Sequence, residues 1–261
     1  MRERLRKKYF LHLLRSLPLL PIIYFQGKKI KKEIPLLPAA KNPEGSVIII
    51  SNRNLKVLFI GESSFAGVGT DYHKNSFAGY FAEKISELFQ SNIHWKVYAK
   101  IGYNIDQIQR MIIPKIEETN CDLIVVGIGG NDTFELTHPK KWSRSVQVLI
   151  DDLREKFPDT PILFAQLPTI EAFPAFTAEM KCVLAGHKNI LANYLHRQVL
   201  KNKNIFYPSE KINIQKWMAT LKDGETVAEF FSDGIHPSEL TYKMWAYECA
   251  DFLHQSSVKF N

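Results

Sequence analysis

The chain has 261 residues, of which 45% are hydrophobic and 23% are charged, a composition typical of a globular protein with one substantial core. Its formal net charge is +7, but residues 1–45 carry 11 Lys and Arg against 3 Asp and Glu, which leaves 23 against 24 in residues 46–261. A nucleic-acid-binding domain usually carries positive charge across its folded face. The distribution therefore argues against nucleic acid as a partner and assigns the basic character to the N-terminus.

Residues 1–45 are predicted to form a basic, apolar extension that ends in a proline-containing linker. The apolar stretch at 9–25 lies between basic clusters and includes His12 and Arg15, so it is too short and too polar for simple insertion across a bilayer. It also lacks the small-residue cleavage site of a secretory signal. Three interpretations stay open: contact of residues 1–32 with an anionic membrane surface, packing of an extra helix onto the rest of the chain, and an uncleaved membrane anchor.

Apolar, β-branched runs alternate with helical patterns through residues 46–261, which are predicted to form one domain. Strands are predicted near 46–50, 56–60, 95–99, 123–128, 161–165 and 204–206, and helices near 76–89, 105–118, 141–156, 177–200 and 237–253. This alternation predicts a parallel sheet with helices on both faces, a three-layer α/β/α sandwich. In such a sheet, ligands bind beyond the carboxyl ends of the strands.

Several other classes of protein are disfavoured by missing motifs. The sequence has no Gly-x-Ser-x-Gly elbow, no dinucleotide or P-loop glycine pattern and no HExxH pair, so neither nucleotide binding nor a metal site is expected. Cys121, Cys182 and Cys249 stand at wide spacings without a CxxC pair. They predict buried free thiols, which fit a reducing, cytoplasmic compartment.

A serine and a glycine follow the first two core strands. Ser63 lies in the glycine-flanked turn at 61–69, where a hydroxyl can reach the mouth of the sheet and nearby N–H groups can face a developing oxyanion. Gly102 follows the strand near 95–99, where it lets backbone approach a ligand or simply forms a turn. Glycine and serine are common in loops, so each position is weak evidence by itself.

Polar residues also follow a third strand and precede the helix near 237–253. Asn131 offers an amide donor for a carbonyl oxygen that gains negative charge. Alternatively, Asn131 or Asp132 could cap a helix or brace the loop, and Asp132 fits this structural role better. Asp233 stands three residues before His236, a spacing that lets the carboxylate fix the tautomer of the imidazole. Pro237 suits the start of a helix.

The set Ser63, Gly102, Asn131 and His236, in this order, resembles the SGNH (GDSL-like) hydrolase family over roughly residues 55–252. The Gly-x-Asn-Asp block is matched at 129–132 and the Asp-x-x-His-Pro block at 233–237. The family usually has Gly-Asp-Ser where this chain has Gly-Glu-Ser at 61–63, a change that keeps the charge and lengthens the side chain.

The resemblance implies a flavodoxin-like α/β/α fold with a five-stranded parallel sheet and a hydrolase domain over residues 46–261. It implies a serine esterase with Ser63 as nucleophile, His236 as base and Asp233 orienting that base. The oxyanion hole would comprise the backbone N–H groups of Ser63 and Gly102 and the Asn131 amide. An acyl-enzyme would form without metal or organic cofactor.

A small-molecule or lipid acyl ester is the expected substrate. An acyltransferase, a carbohydrate O-deacetylase and a non-catalytic membrane-surface module are the alternatives. Two segments are predicted to wall an acyl pocket: 167–180, through Phe173 and Phe176, and 208–231, through Trp217, Met218, Phe230 and Phe231. The expected location is cytoplasmic, with peripheral attachment to a membrane through residues 1–32 as one option and anchoring by the same segment as the other.

Overall fold

A six-stranded sheet forms the centre of the computed structural model, which describes residues 2–256 and 258–260. Its strands are β1 (Glu44–Val47), β2 (Asn54–Gly61), β3 (Asn92–Ala99), β4 (Leu123–Gly127), β5 (Ile162–Phe164) and β6 (Ile205–Phe206). They lie in the order β1-β3-β2-β4-β5-β6, and β2 to β6 are parallel. The five parallel strands have the flavodoxin-like order, as the resemblance implied.

Helices cover both faces of this sheet. They are α1 (Arg2–Ser16), α2 (Leu20–Glu33), α3 (Phe77–Phe89), α4 (Ile105–Met111), α5 (Gly130–Phe134), α6 (Pro139–Lys156), α7 (Ala178–Val199), α8 (Ile214–Met218) and α9 (Glu239–Gln255). Successive side chains of a strand point to opposite faces. Leu58 and Ile60 pack against α4, α6 and α7, while Val57 and Phe59 pack against α3 and α9. The α/β/α sandwich is therefore confirmed.

The sixth strand, β1, is the difference from the implied five-stranded sheet. It pairs antiparallel with β3 and begins at Glu44, whereas the apolar run predicted a strand at 46–50. Gly45 lets β1 pack against the Trp95 ring, because an added Cβ would lie 2.5 Å from Trp95 Cζ2. Ile48 and Ile50 lie outside the strand and are exposed, so the apolar run alone misplaced it.

Three further details correct the sequence-based predictions. The predicted helix at 105–118 is shorter, because α4 ends at Met111 and Pro114 lies in a separate 3₁₀ turn. Helix α9 begins at Glu239 rather than at residue 237, since the Ser238 side chain accepts the Thr241 N–H as the N-cap. Cys182 is exposed, contrary to the prediction of three buried thiols.

Helices α1 and α2 pack against α7. Leu5 is buried there, and the ring of His12 lies directly over Gly186, where an added Cβ would collide with it. Gln26 accepts a hydrogen bond from the Thr177 hydroxyl at 2.8 Å and donates one to Glu179 at 3.2 Å. Among the described residues, no helix combines the length and hydropathy needed to cross a membrane.

Candidate active site

Ser63 lies in the turn that follows β2. Phe65 N and Ala66 N donate to the Glu62 carbonyl at 3.0 and 2.9 Å, which folds the chain back at the serine. The turn is tight because Gly61 has no side chain: an added Cβ would lie 2.8 Å from Phe65 Cβ. The backbone N–H groups of Ser63 and Ser64 have no acceptor within the described part of the chain, so both can donate to a ligand.

Asp233 and His236 form a hydrogen-bonded pair. Asp233 Oδ2 lies 2.7 Å from His236 Nδ1, and Oδ1 accepts the backbone N–H groups of Ile235 and His236 at 2.9 and 2.7 Å. The Asp233 side chain is 0% exposed, whereas that of His236 is 23% exposed. Burial alone would raise the pKa of Asp233, but the hydrogen bonds from His236 and Ile235 outweigh it and lower that pKa. The ionised carboxylate favours a proton on Nδ1 and leaves Nε2 free to accept one.

Direct contacts join the serine turn to the histidine turn. Gly69, at a φ of +101°, approaches the Pro237 carbonyl and Ser232, and an added Cβ would lie 2.5 Å from the Ser232 Oγ. The buried hydroxyl of Tyr242, on α9, donates to the Val68 carbonyl at 2.7 Å. These contacts hold Ser63 and His236 at one end of the sheet.

The Asn131 amide is held by Glu62 and by the backbone. Its Nδ2 donates to Glu62 Oε2 at 2.6 Å and to the Tyr103 carbonyl at 3.0 Å. Glu62 also accepts the backbone N–H groups of Gly130 and Asn131, at 2.6 and 2.9 Å. Burial, opposed by these hydrogen bonds, raises the pKa of Glu62 to about 7. Sequence reasoning identified Glu62 only as a departure from the family pattern.

Asp132 braces the loop on the other side of Asn131. Its Oδ2 accepts the Ile105 N–H at 3.0 Å, so it braces the start of α4, whose N-cap is Asn104. Burial raises the pKa of Asp132 to about 6. The bracing role predicted for this residue is confirmed.

One cavity of about 60 Å³ is lined by Ser63, Asn131 and His236. Asp233 lies behind His236 and is hydrogen-bonded to it. Gly102, with a φ of +80°, is exposed and does not line this cavity. The structure thus brings together four of the five predicted site residues. Within the described residues, Ser63 and His236 share the cavity without a hydrogen bond between their side chains.

Aromatic side chains from both predicted segments wall this cavity. They are Phe173 from 167–180 and Trp217 and Phe231 from 208–231. Phe230 is instead fully buried in the core, and Phe176 lines a neighbouring groove. Sequence reasoning missed several lining residues, among them Phe134, Ile235, Thr241 and Trp245. The position of Ile235 next to His236 was the available signal for one of them.

Comparison with known proteins places this chain in a family. The family model described as GDSL-like lipase/acylhydrolase matches residues 59–244, more than half of the chain. A search of curated proteins finds no match.

Solved structures share the fold at low sequence identity. A family 3 carbohydrate esterase from Clostridium thermocellum is 15% identical, with a TM-score of 0.56, over 79% of this chain and 100% of that chain. An extracellular lipase from Streptomyces rimosus is 12% identical, with a TM-score of 0.53, over 76% and 98%. A lipase/acylhydrolase from Enterococcus faecalis is 14% identical, with a TM-score of 0.52, over 79% and 97%. With the family match, they lead to one conclusion: the chain belongs to the GDSL-like lipase/acylhydrolase family, the SGNH hydrolases that its four sequence blocks resemble.

Proposed function

We propose that this protein hydrolyses carboxylic esters through an acyl-enzyme on Ser63. The observation that carries the proposal is the Asp233–His236 pair, 2.7 Å apart, on the cavity that Ser63 also lines. A buried, ionised carboxylate behind an imidazole keeps Nε2 unprotonated and stabilises the imidazolium that forms when Nε2 takes a proton.

The reaction then proceeds in two steps. His236 Nε2 takes the hydroxyl proton of Ser63 as Oγ attacks the ester carbonyl, and the same proton goes to the departing alcohol. In the second step, His236 deprotonates a water molecule that attacks the acyl-serine, and the acid leaves as Oγ regains a proton. Each step breaks one C–O bond and forms another, so neither step needs an oxidant or a reductant.

The oxyanion of each tetrahedral intermediate needs donors near Ser63 Oγ. The Ser63 and Ser64 N–H groups supply two, since neither has another acceptor within the described chain. We assign a third donor to the Asn131 amide, which reaches the oxyanion when it exchanges the Tyr103 carbonyl for the substrate oxygen. The Gly102 N–H stays a fourth candidate that has to approach the cavity when substrate binds.

The Ser63–His236 hydrogen bond is expected to form in the complex with substrate. Catalytic hydrogen bonds are often long or absent in a free enzyme and shorten when the substrate excludes water. Both residues already line the cavity, so we expect a local adjustment of the Ser63 side chain or of the histidine turn to form this bond.

The test is hydrolysis of p-nitrophenyl butyrate by the purified protein, its Ser63→Ala variant and the control variant Ser209→Ala, in which an exposed serine is changed. We expect Ser63→Ala to lose at least about 10³-fold in kcat, as removal of a serine nucleophile does, and Ser209→Ala to match the wild type. Substantial turnover by a folded Ser63→Ala variant would exclude Ser63 as the nucleophile.

We also propose that α1 and α2 rest on an anionic membrane surface. Helix α1 docks on α7 through Leu5, Tyr9 and His12, yet a second apolar stripe stays exposed. Together with α2, this exposed surface comprises Phe10, Leu11, Leu14, Leu17, Ile22 and Phe25. The extension also holds the chain's entire excess of positive charge. Apolar side chains that enter the headgroup boundary, with lysines and arginines at about 1 kcal/mol each, fit an interfacial helix.

A further inference from the structure

A long apolar groove lies between α2 and the hydrolase domain. Its volume is about 710 Å³, within the roughly 300–1,000 Å³ range of small-molecule sites. Ile23, Gly27 and Ile30 of α2 form one wall, and Phe176 and Met180 lie on the other. Apart from Gly27, Lys28 and Lys31, all the described residues that line the groove are hydrophobic.

This groove adjoins the cavity at Ser63. Phe134 and Ile235 line both spaces. Ile235 directly precedes His236, and Phe134 ends the helix that contains Asn131, so the inner end of the groove lies beside the catalytic residues proposed above. At the other end, Tyr24 and Leu36 line the groove and are 58% and 97% exposed, which marks its mouth.

The two spaces differ greatly in size. The cavity at Ser63 measures about 60 Å³, enough for the reacting carbonyl and few further atoms, whereas the groove is about 710 Å³. A substituent that extends past Phe134 and Ile235 enters the groove, which offers almost no polar partners. Hydrocarbon fits this groove, while a sugar would leave its hydroxyl groups without hydrogen bonds.

We propose that this groove binds the hydrocarbon chain of the acyl group, so that the substrate class is a long-chain acyl ester. The inference rests on the proposed function, because it places the carbonyl of that chain at Ser63. The α2 wall is a feature of this chain outside the family match, which begins at residue 59. Lys28 and Lys31 lie at the groove, where they favour an anionic surface from which the substrate enters.

Gly27 provides a way to block the groove. An added Cβ would have no neighbour within 4 Å, so a large side chain has room to enter the groove without displacing backbone. Helical glycine is also unfavourable, and its replacement does not weaken α2. We therefore choose Gly27→Phe, with Lys32→Phe as the matched control, because Lys32 is exposed on α2 and does not line the groove.

The first measurement is the ratio of kcat/KM for p-nitrophenyl dodecanoate to that for the butyrate. Each buried methylene raises kcat/KM by up to about fourfold, so a block that excludes two methylenes lowers the ratio about 16-fold. We expect the wild type and Lys32→Phe to prefer the dodecanoate, and Gly27→Phe to lose at least about tenfold in this ratio.

The second measurement separates the groove from catalysis. Dodecanoate itself is titrated calorimetrically into the wild type, Gly27→Phe and Lys32→Phe, and we expect Gly27→Phe alone to bind at least about tenfold more weakly. If esters are hydrolysed but Gly27→Phe leaves both the ratio and the affinity unchanged, the groove inference falls and the proposed function stands. If dodecanoate binding depends on Gly27 while no ester is hydrolysed, the groove binds hydrocarbon chains and the proposed function falls.

Discussion

Glu62 Oε2 lies 2.6 Å from the Nδ2 atom of Asn131, 69 residues further along the chain. The same carboxylate accepts the Gly130 and Asn131 N–H groups. The residue before the proposed nucleophile therefore holds the loop that presents the proposed oxyanion donor. Glutamate has the reach for this contact, which explains how the chain accommodates a longer acid where the family usually has aspartate. We treat Glu62 as a positioning residue.

The first prediction is that Glu62→Asp impairs the site although it introduces the residue usual in the family. Removal of one methylene withdraws the carboxylate by about 1.5 Å, which breaks the contacts to Gly130 and Asn131. We expect kcat for p-nitrophenyl butyrate to fall about tenfold or more, with KM nearly unchanged, because a misplaced oxyanion donor affects mainly the transition state. Exposed Glu117→Asp is the control. Wild-type kcat in Glu62→Asp would show that the reach of this acid is unimportant.

The second prediction concerns stability and pH. The carboxyl of Glu62 titrates at its ordinary pKa of 4.5 in the unfolded chain, and burial raises its pKa to about 7 in the folded protein. Between these values the folded state holds a proton that the unfolded state has released. The contribution of Glu62 to the free energy of unfolding is therefore fully present below pH 4.5 and declines up to about pH 7, by at most ~1.4 kcal/mol per pH unit.

Urea unfolding of the wild type and Glu62→Gln across pH 4.5–7 measures this effect. The pKa of Asp132 is also raised by burial, to about 6, but Asp132 is present in both proteins, so the difference between them isolates Glu62. We expect that difference to vary with pH in this window. Parallel stability curves for the two proteins would contradict the assignment.

The third prediction is that Asp233→Asn lowers kcat by roughly 10³ to 10⁴-fold. An amide in place of the carboxylate can donate to Nδ1, which favours a proton on Nε2 and removes the acceptor that Ser63 requires. The exposed residue Asp223 gives a matched control, Asp223→Asn. Circular dichroism checks that both variants fold. If Asp233→Asn kept more than a tenth of the wild-type kcat, the carboxylate would not be orienting the base.

The fourth prediction concerns membrane binding. The double variant Leu14→Ser, Phe25→Ser removes two exposed apolar side chains from α1 and α2. We expect at least about a tenfold weaker association with vesicles that contain about one-third anionic lipid, because each inserted side chain contributes roughly 1.5–3 kcal/mol. Ile50→Ser removes a fully exposed apolar side chain elsewhere and should bind like the wild type. Equal sedimentation of the wild type with anionic and with neutral vesicles, or of all three proteins with anionic vesicles, would argue against the charged-surface proposal.

Local patterns account for the parts of the site that the sequence predicted. Asp233 and His236 are three residues apart, so a tight turn alone brings them together, and the alternation of apolar runs with helical patterns predicts the sheet. Chain order then places Ser63 and Asn131 at the carboxyl ends of neighbouring strands, β2 and β4. These features follow from short sequence patterns and from the order of the strands along the chain.

Contacts between distant segments account for what the sequence did not predict. The reach of Glu62 to Asn131 depends on the spacing of two loops, and the apolar residues of α2 gave no sign of which partner they would face. Gly102 matched its block in order, but its place outside the cavity depends on the backbone conformation of its turn. The apolar residues at 46–50 indicated a strand, but they did not indicate that Ile48 and Ile50 lie beyond its end and are exposed.

The hydrogen bond from Tyr242 to the Val68 carbonyl has a consequence for synthesis of the protein. The turn that holds the proposed nucleophile, Ser63, is translated about 170 residues before the proposed base, and α9 supplies a contact that joins the two turns. On the ribosome, a nascent chain that ends before Asp233 has a serine without its base. Under the proposed function, ester hydrolysis therefore begins only after α9 has left the exit tunnel and docked against the turn that holds Ser63.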